Sequence, residues 1–276
     1  MQPNLDSKTV EGFGAEWSKF DQSDLAEAEH QQIFESYFKI FPWEDLPENA
    51  TGFDLGCGSG RWARKVAAKV GKLICIDASK DALEVAKKNL SDETNCEFHN
   101  ASVAEMPLED DSVDFGYSLG VLHHIPDTQK GIDACVKKIK RGGPFLVYLY
   151  YAFDNRPAWF RTIWKISDVF RRGISSLPTG VKHLVAEIIA FTVYFPLARA
   201  AYLLEKLGLT VSAFPLSIYR NKSLYTMRTD SLDRFGTRLE QRFTKKQIKE
   251  MLENAGLGDI VFSDQMPFWC AVGRKK

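Results

Sequence analysis

Short apolar runs alternate with helix-like segments between residues 45 and 150. Apolar residues cluster at 53–55, 72–77 and 145–150, and Lys80–Asn89 and Thr128–Ile139 are predicted as helices between such runs. Strands that alternate with helices are typical of a parallel sheet covered on both faces. The pattern predicts seven strands, at 53–55, 72–77, 96–100, 112–119, 145–150, 259–263 and 269–273. The predicted fold class is α/β, a doubly wound, mostly parallel seven-stranded sheet that ends in a hairpin with one antiparallel strand.

The alternation stops after the fifth predicted strand. No strand pattern is found from Tyr151 to about Thr226, and the stretch Leu184–Leu204 is mostly apolar. We expect two or three helices that form a helical cap inserted after the fifth strand, over the carboxyl edge of the sheet. A membrane-spanning helix needs about 20 apolar residues with few charges. Glu187, Arg199 and the proline within the run therefore argue against a span.

Three regions follow from this pattern. Residues 1–44 are predicted as an N-terminal helical lid, residues 45–150 and 237–276 as the sheet domain, and residues 151–236 as the cap. Ile218–Gly236 holds many charged residues and few apolar ones, so we expect it to pack poorly by itself. Ser79 is a predicted helix cap, and Thr244 to Gln247 a predicted capping box.

Composition and charge limit the classes of function. The chain has 276 residues with 36 basic and 36 acidic side chains, so overall charge gives no nucleic-acid footprint. Its five cysteines are scattered and form no C-x-x-C pair, which indicates neither a disulfide framework nor a metal site. The N-terminus has no basic start and no apolar core, so no signal peptide is predicted, and a cytoplasmic location is expected.

Gly52–Gly60 is the stretch that carries most of the candidate chemistry. A short apolar run ends in Gly56, Gly58 and Gly60, and a helix is predicted over Arg61–Val70. Glycines allow backbone angles closed to other residues and a close approach of the main chain to a ligand. Asp77 ends the next strand about 20 residues on, where nucleotide-binding folds place the group that binds ribose hydroxyls. A tight connection without a ligand is the simpler alternative.

This combination resembles the class I S-adenosylmethionine-dependent methyltransferases. Asp54-Leu-Gly-Cys-Gly-Ser-Gly60 is similar to their first motif, and Ile76–Ser79 to their second-strand motif. The resemblance implies that S-adenosylmethionine is the cofactor and that the glycine loop cradles its methionine and ribose. It also implies that Asp77 binds the ribose hydroxyls and that Asp54 lies near the cofactor's amino group. The implied cofactor-binding residues are Asp54, Gly56, Cys57, Gly58, Gly60, Asp77, Ala78, Ser102, Val103 and Leu119.

Ser102 is a departure from the family. The segment Ala101–Leu108 is similar to the one that binds adenine, but Ser102 stands where an acidic residue is usual. A hydroxyl can still accept a hydrogen bond from an adenine amine, and the backbone N–H of Val103 can still donate.

Two adjacent histidines, His123 and His124, follow the fourth predicted strand. Open α/β sheets bind ligands at the carboxyl ends of their strands. A neutral imidazole there can remove a proton from an attacking hydroxyl or amine, so both histidines are candidate catalytic bases. The alternative is a structural turn with local hydrogen bonds, and the sequence does not separate the two residues.

Candidate substrate residues come from the lid and the cap. Phe13 and Trp17 fall at helical spacing, either packed on the sheet domain or covering the cofactor. The remaining candidates are the polar cap residues Arg156, Tyr219, Tyr225 and Arg228. The apolar cap has three interpretations: it buries itself on the core, it lines a pocket for a lipophilic substrate, or residues 184–204 touch a membrane surface or a second copy of the chain.

The sequence thus predicts a methyltransferase with a small-molecule or lipid-like acceptor, with no metal and no nucleic-acid partner. An oxygen acceptor is favoured because a nearby histidine suits a hydroxyl. Two alternatives stay open. A nicotinamide-dependent oxidoreductase is disfavoured because Arg61 replaces the third glycine of a dinucleotide site. A non-catalytic scaffold would need a damaged pocket, whereas Asp54, Asp77 and the three loop glycines are present.

Overall fold

The computed structural model describes residues 4–276, which form two compact units. The first unit contains residues up to 22, 31–152 and 239–276, and the second contains 23–30 and 153–238. The helices are α1 Ser7–Lys19, α2 Glu27–Phe38, α3 Ala63–Ala67, α4 Lys80–Asn89, α5 Thr128–Lys138, α6 Ala158–Ser175, α7 Thr179–Ile189, α8 Phe195–Lys206, α9 Leu224–Gly236 and α10 Lys245–Asn254. The strands are β1 Thr51–Leu55, β2 Lys72–Asp77, β3 Cys96–Asn100, β4 Phe115–Leu119, β5 Pro144–Tyr148, β6 Leu257–Phe262 and β7 Cys270–Lys275.

The first unit is built on one seven-stranded sheet with the order β3-β2-β1-β4-β5-β7-β6. β1 to β5 pair in parallel, and β7 is antiparallel to both β5 and β6. The predicted fold class is therefore confirmed. The strand order reverses beside β1, so the carboxyl ends of β1 and β4 border the crevice where such sheets bind ligands.

Glycine and phenylalanine alternate across the central pair of strands. Gly52 lies opposite Phe115, and Phe53 lies opposite Gly116. Each ring covers the glycine of the neighbouring strand, since a Cβ on Gly52 or on Gly116 would lie 2.2 Å from the facing ring. This exchange buries both rings fully and fixes the register of β1 against β4, which positions the loop that follows β1.

The two helix caps predicted from the sequence are present in the structure. The Ser79 side chain accepts a hydrogen bond from the backbone N–H of Ala82 at the start of α4. Thr244 and Gln247 form the reciprocal capping box of α10. Both predicted caps are confirmed, because a cap is local in sequence and needs no distant partner.

Two predicted features differ from the structure. The helix expected over Arg61–Val70 is limited to Ala63–Ala67, because the glycine turn continues through Trp62 before regular helical bonding begins. The stretch expected to pack poorly, Ile218–Gly236, contains helix α9, which is largely buried. Its apolar residues Met227 and Phe235 join Tyr194 and Ala198 in the core of the second unit.

The second unit consists mainly of α6 to α9. α7 and α8 join through a π-helical turn, Ala190–Tyr194, into one long helix, Thr179–Lys206. This helix is long and apolar enough to cross a membrane by length and composition alone, and 28% of its most apolar window is buried within the protein. The expectation that the charges and the proline argue against a span stays a prediction.

Candidate active site

The loop after β1 has the backbone form that its glycines allow. Gly56, Gly58 and Gly60 have φ angles of 75°, 55° and 80°, in the left-handed region that favours glycine. The N–H groups of Gly56 and Cys57 donate to the carbonyl of Ile76 at 2.7 and 3.2 Å. The loop is therefore fastened to the end of β2 with its backbone turned sharply at the carboxyl edge of the sheet.

Asp77 connects the loop to the start of α4. One carboxylate oxygen accepts from the Gly58 N–H at 2.8 Å, and the other accepts from the Ser79 N–H at 2.7 Å. Burial raises the pKa of this carboxyl, although both N–H donors act in the opposite direction. Each oxygen keeps a further lone pair for a hydroxyl donor, which is the role that the resemblance implies.

Asp54 lies fully buried in β1. Its Oδ2 accepts a hydrogen bond from the Tyr117 hydroxyl of β4 at 2.9 Å, and its Oδ1 has no hydrogen-bond partner in the described chain. Burial raises the pKa of Asp54 well above its usual range, although the Tyr117 bond opposes the rise. An unsatisfied buried carboxylate oxygen fits a cationic partner, as the cofactor's amino group would be.

Helix α1 places three residues of one face against three parts of this edge. The Phe13 ring lies 5.0 Å from the His124 ring. A Cβ on Gly14 would lie 2.6 Å from Ser79 Oγ, and a Cβ on Gly58 would lie 2.9 Å from Trp17 Nε1. The missing side chains of the two glycines thus permit this close approach, and they leave Phe13 against His124 and Trp17 against the glycine loop.

The remaining implied cofactor residues lie at neighbouring strand ends. The Asn100 side chain donates to the carbonyls of Asp77 and Ala78 at 2.9 and 3.0 Å, which joins the ends of β2 and β3. Ser102 precedes the short 3-10 turn Val103–Glu105, and Ser102 and Val103 are buried. Ala78 and the Ser102 turn thus follow the neighbouring strands β2 and β3, and their role toward ribose and adenine stays a prediction.

Leu119 ends β4 and is buried. Gly120 follows with a φ of 81°, and no atom lies within 4 Å of where its Cβ would be. The open space there borders the end of the strand that leads to the two histidines. The sequence reasoning missed Gly120, although its position directly after β4 was a usable signal.

The two histidines have different surroundings. The His124 Nδ1–H donates to the Leu239 carbonyl at 2.6 Å. His123 is fully buried, and neither of its ring nitrogens has a hydrogen-bond partner in the described residues. Its ring stacks on Tyr150 at 3.9 Å and lies 3.9 Å from the His124 ring. Burial, His124 and Arg242 lower the pKa of His123 well below its usual value, so this imidazole is neutral.

Residues 239–242 complete the surroundings of the histidines. The Gln241 N–H donates to the carbonyl of His123 at 3.0 Å. The Arg242 guanidinium lies 4.8 Å from the Tyr150 ring and donates to Glu240 at 2.7 Å. Sequence reasoning missed Tyr150 and Arg242, because a contact over more than 90 residues leaves no local pattern.

The four candidate substrate residues of the cap all lie in the second unit. Arg228 forms a two-point ion pair with Glu187 at 2.7 and 2.9 Å, which raises the pKa of the arginine. The Tyr219 ring lies 5.2 Å from Tyr194, and Arg156 donates to the Ser212 carbonyl. Tyr225 lies in α9, where its carbonyl accepts from the Thr229 hydroxyl. Their role toward a substrate stays a prediction.

Comparison with known proteins agrees with this geometry. Residues 53–147 match the family described as "Methyltransferase domain". The ubiquinone biosynthesis O-methyltransferase of Hydrogenovibrio crunogenus is 27% identical over 61% of this chain and 68% of its own length. Phosphoethanolamine N-methyltransferase 2 of Caenorhabditis elegans is 32% identical over 38% of this chain, and the match spans only a quarter of that protein.

A solved structure shows the same fold. Phosphoethanolamine N-methyltransferase 2 of Haemonchus contortus, in complex with phosphomonomethylethanolamine and S-adenosylhomocysteine, superposes with a TM-score of 0.50 and 17% identity. The alignment covers 94% of this chain and 44% of that one. Residues 53–147 therefore form a methyltransferase domain with the class I fold, and family and fold support S-adenosylmethionine as the cofactor. This result sets the nicotinamide alternative aside.

Proposed function

We propose that the chain transfers a methyl group from S-adenosylmethionine to an oxygen atom of a small, lipophilic acceptor. The hydrogen bond from His124 to Leu239 carries the proposal. A carbonyl oxygen only accepts, so Nδ1 holds the proton and Nε2 holds the lone pair of the neutral ring. His124 is thus fixed in the tautomer that a general base requires.

The base acts on the acceptor's hydroxyl. His124 Nε2 takes the hydroxyl proton, which increases the electron density on the attacking oxygen. Phe13 and His123 lie on the His124 ring at 5.0 and 3.9 Å, and they limit its rotation. His123 is a positioning residue in this proposal, since its ring stacks on Tyr150 at 3.9 Å and lies 3.9 Å from the His124 ring.

The other pocket residues hold the cofactor and exclude water. When bound, S-adenosylmethionine supplies an electrophilic methyl group, so the protein's tasks are alignment and desolvation. Asp77 would accept from the ribose hydroxyls, and Asp54 would face the amino group. Trp17 covers the glycine loop at Gly58, which keeps solvent from this part of the pocket.

One observation supports a lipophilic acceptor: a relative is named for the biosynthesis of ubiquinone, an apolar molecule. Arg228 is less suited to hold an acidic substrate, because Glu187 already neutralises its charge. An apolar acceptor would instead be recognised by shape and by the aromatic residues that flank the pocket.

The test compares histidine variants in a methyl-transfer assay with a lipid extract of the source cells. We expect His124→Gln to lower the turnover rate about a hundredfold, the lower range for loss of a general base. Binding of S-adenosylhomocysteine, measured by calorimetry, should stay near the wild-type value. Unchanged turnover in His124→Gln would contradict the proposed base. Binding lost together with turnover would instead assign His124 to the cofactor site.

A further inference from the structure

The solvent-facing side of the second unit is unusually apolar. In the described part of the chain, all large apolar side chains that are exposed lie between Trp159 and Leu209, apart from Val261. Soluble monomers rarely expose apolar side chains in such a concentration, and an apolar surface of this kind marks an interaction site.

Helix α6 is arranged with its polar pair inside and its apolar stripe outside. Asp168 and Arg171 are buried and form an ion pair at 2.6 Å, and Arg171 also donates to the Thr237 carbonyl. The opposite face carries Trp159, Ile163, Ile166 and Phe170, at spacings of four, three and four residues. A helix that belonged only to a protein core would place these two faces the other way round.

The long helix Thr179–Lys206 repeats this arrangement. Its buried side uses the small residues Ala186, Ala190, Ala198 and Ala201, and α7 packs against α9. Its exposed side carries Val181, Leu184, Ile188, Phe191 and Phe195, at spacings of three and four residues. One side of the helix is thus occupied by the protein, and the other is left as an apolar stripe. This division fits a helix that lies on a surface better than one that crosses a bilayer.

The charge of residues 158–209 indicates which kind of surface these helices bind. Between residues 158 and 209 the chain has seven lysines and arginines against three acidic residues, although the whole chain is balanced at 36 of each. All three acidic residues are neutralised by arginines, in the pairs Asp168–Arg171, Glu187–Arg228 and Glu205–Arg220. Arg161 and Lys165 are both exposed on α6. At about 100° per residue Lys165 lies nearer the apolar stripe, whereas Arg161 lies on the far side of the helix. An apolar stripe in a segment with excess positive charge matches an anionic membrane surface, with acyl chains below the headgroups.

We propose that the exposed faces of α6 and of Thr179–Lys206 dock on the surface of an anionic lipid bilayer. The apolar stripes enter the boundary between headgroups and acyl chains, and the long side chain of Lys165 reaches the headgroups. The inference goes beyond the proposed methyl transfer and does not depend on it, because docking needs neither cofactor nor turnover. A second copy of the chain is a poorer occupant, since a symmetric pairing would bring the same cations together.

Flotation of the full chain with vesicles tests the docking. Vesicles of phosphatidylcholine with phosphatidylglycerol should carry the wild-type protein, and vesicles of phosphatidylcholine alone should carry much less. The variant I166E/F170E should remain in the aqueous fraction. Both native side chains are more than half exposed, and the two carboxylates that replace them would be repelled by anionic headgroups and excluded from the acyl chains. Replacing Lys165 by glutamine should weaken binding about fivefold.

Val261→Glu is the matched control, because Val261 is equally exposed but lies on β6 of the first unit. It should float like the wild type. The proposal is overturned if the wild type floats with neither kind of vesicle, or if I166E/F170E floats as well as the control. It is also overturned if the chain forms a dimer without vesicles that I166E/F170E abolishes. Binding of S-adenosylhomocysteine in each variant shows separately whether the methyltransferase pocket is intact.

Discussion

At the scale of single residues, burial shifts the pKa values of Asp77 and His123 in opposite directions. Asp77 is a partly buried carboxylate that accepts hydrogen bonds from two backbone N–H groups. His123 is a buried imidazole whose nitrogens have no partner among the described residues. Burial disfavours the charged form of each group, which raises the pKa of the acid and lowers that of the base.

Asp77→Asn should weaken cofactor binding at least tenfold. The amide keeps one acceptor oxygen but presents an NH₂ group to a backbone donor or a ribose hydroxyl, and hydrogen bonds to a charged group contribute about 1.5–3 kcal/mol. Calorimetry with S-adenosylhomocysteine measures the change. Glu97→Gln is the control, because Glu97 lies on the adjacent strand β3 and is exposed at the surface. Equal affinity in both variants would refute the role of Asp77.

His123 should make the free energy of unfolding depend on pH. Its folded pKa lies below the usual value of about 6.5, so the unfolded chain binds the proton first as the pH falls. This contribution to stability is complete above about pH 6.5 and decreases below it, by up to about 1.4 kcal/mol per pH unit, until the folded pKa is reached. Urea unfolding of wild type and His123→Gln compares the two slopes between about pH 7 and pH 5. Parallel curves would show that His123 does not titrate as described.

At the scale of elements, helix α1 packs closely on the start of α4 because residue 14 is a glycine. The lid role predicted for this segment depends on that contact. A larger side chain at this position would collide with Ser79, since even a Cβ would lie 2.6 Å from its hydroxyl oxygen. Such a collision would move Phe13 away from His124 and Trp17 away from Gly58. The spacing of Phe13, Gly14 and Trp17 thus has a physical reason: the small residue allows both rings of this helical face to reach their contacts.

Gly14→Val should detach α1 and expose its peptide bonds to protease. We expect cleavage after Lys8 or Lys19 to become at least tenfold faster, in line with a loss of roughly 1–3 kcal/mol from overpacking. Limited proteolysis followed by mass spectrometry gives the rate and the site. Ser18→Val, exposed on the same helix, should cleave at the wild-type rate. Equal cleavage of both variants would contradict the lid.

At the scale of the whole molecule, local patterns predicted the sheet but not everything around it. The seven strands, the glycine turn and the caps at Ser79 and Thr244 each depend on a few neighbouring residues. Helix α9 was missed because its polar sequence is satisfied by distant partners, such as Glu187 for Arg228. The contact of Gln241 with His123 depends on a return of the chain after the inserted unit, and no sequence window spans it.

The division into units also has a long-range cause. Residues 23–30 belong to the second unit, where Glu29 accepts from the Ser223 N–H and the Thr226 hydroxyl at 3.0 and 2.7 Å. The local pattern predicts residues 1–44 as one lid segment, because the partners of Glu29 lie about 195 residues away and leave no local signal. Predicted boundaries at 151 and 236 follow the end of a strand pattern, which is a local signal.

One labelling experiment tests the proposed methyl transfer to a lipophilic acceptor most directly. The full chain is incubated with methyl-labelled S-adenosylmethionine and an extract of its source cells, and the products are separated into lipid, small polar and macromolecular fractions. We predict label in the lipid fraction, strongly reduced in Asp77→Asn and unchanged in Glu97→Gln. Label in either of the other two fractions, or no label from a protein that still binds S-adenosylhomocysteine, would contradict the account.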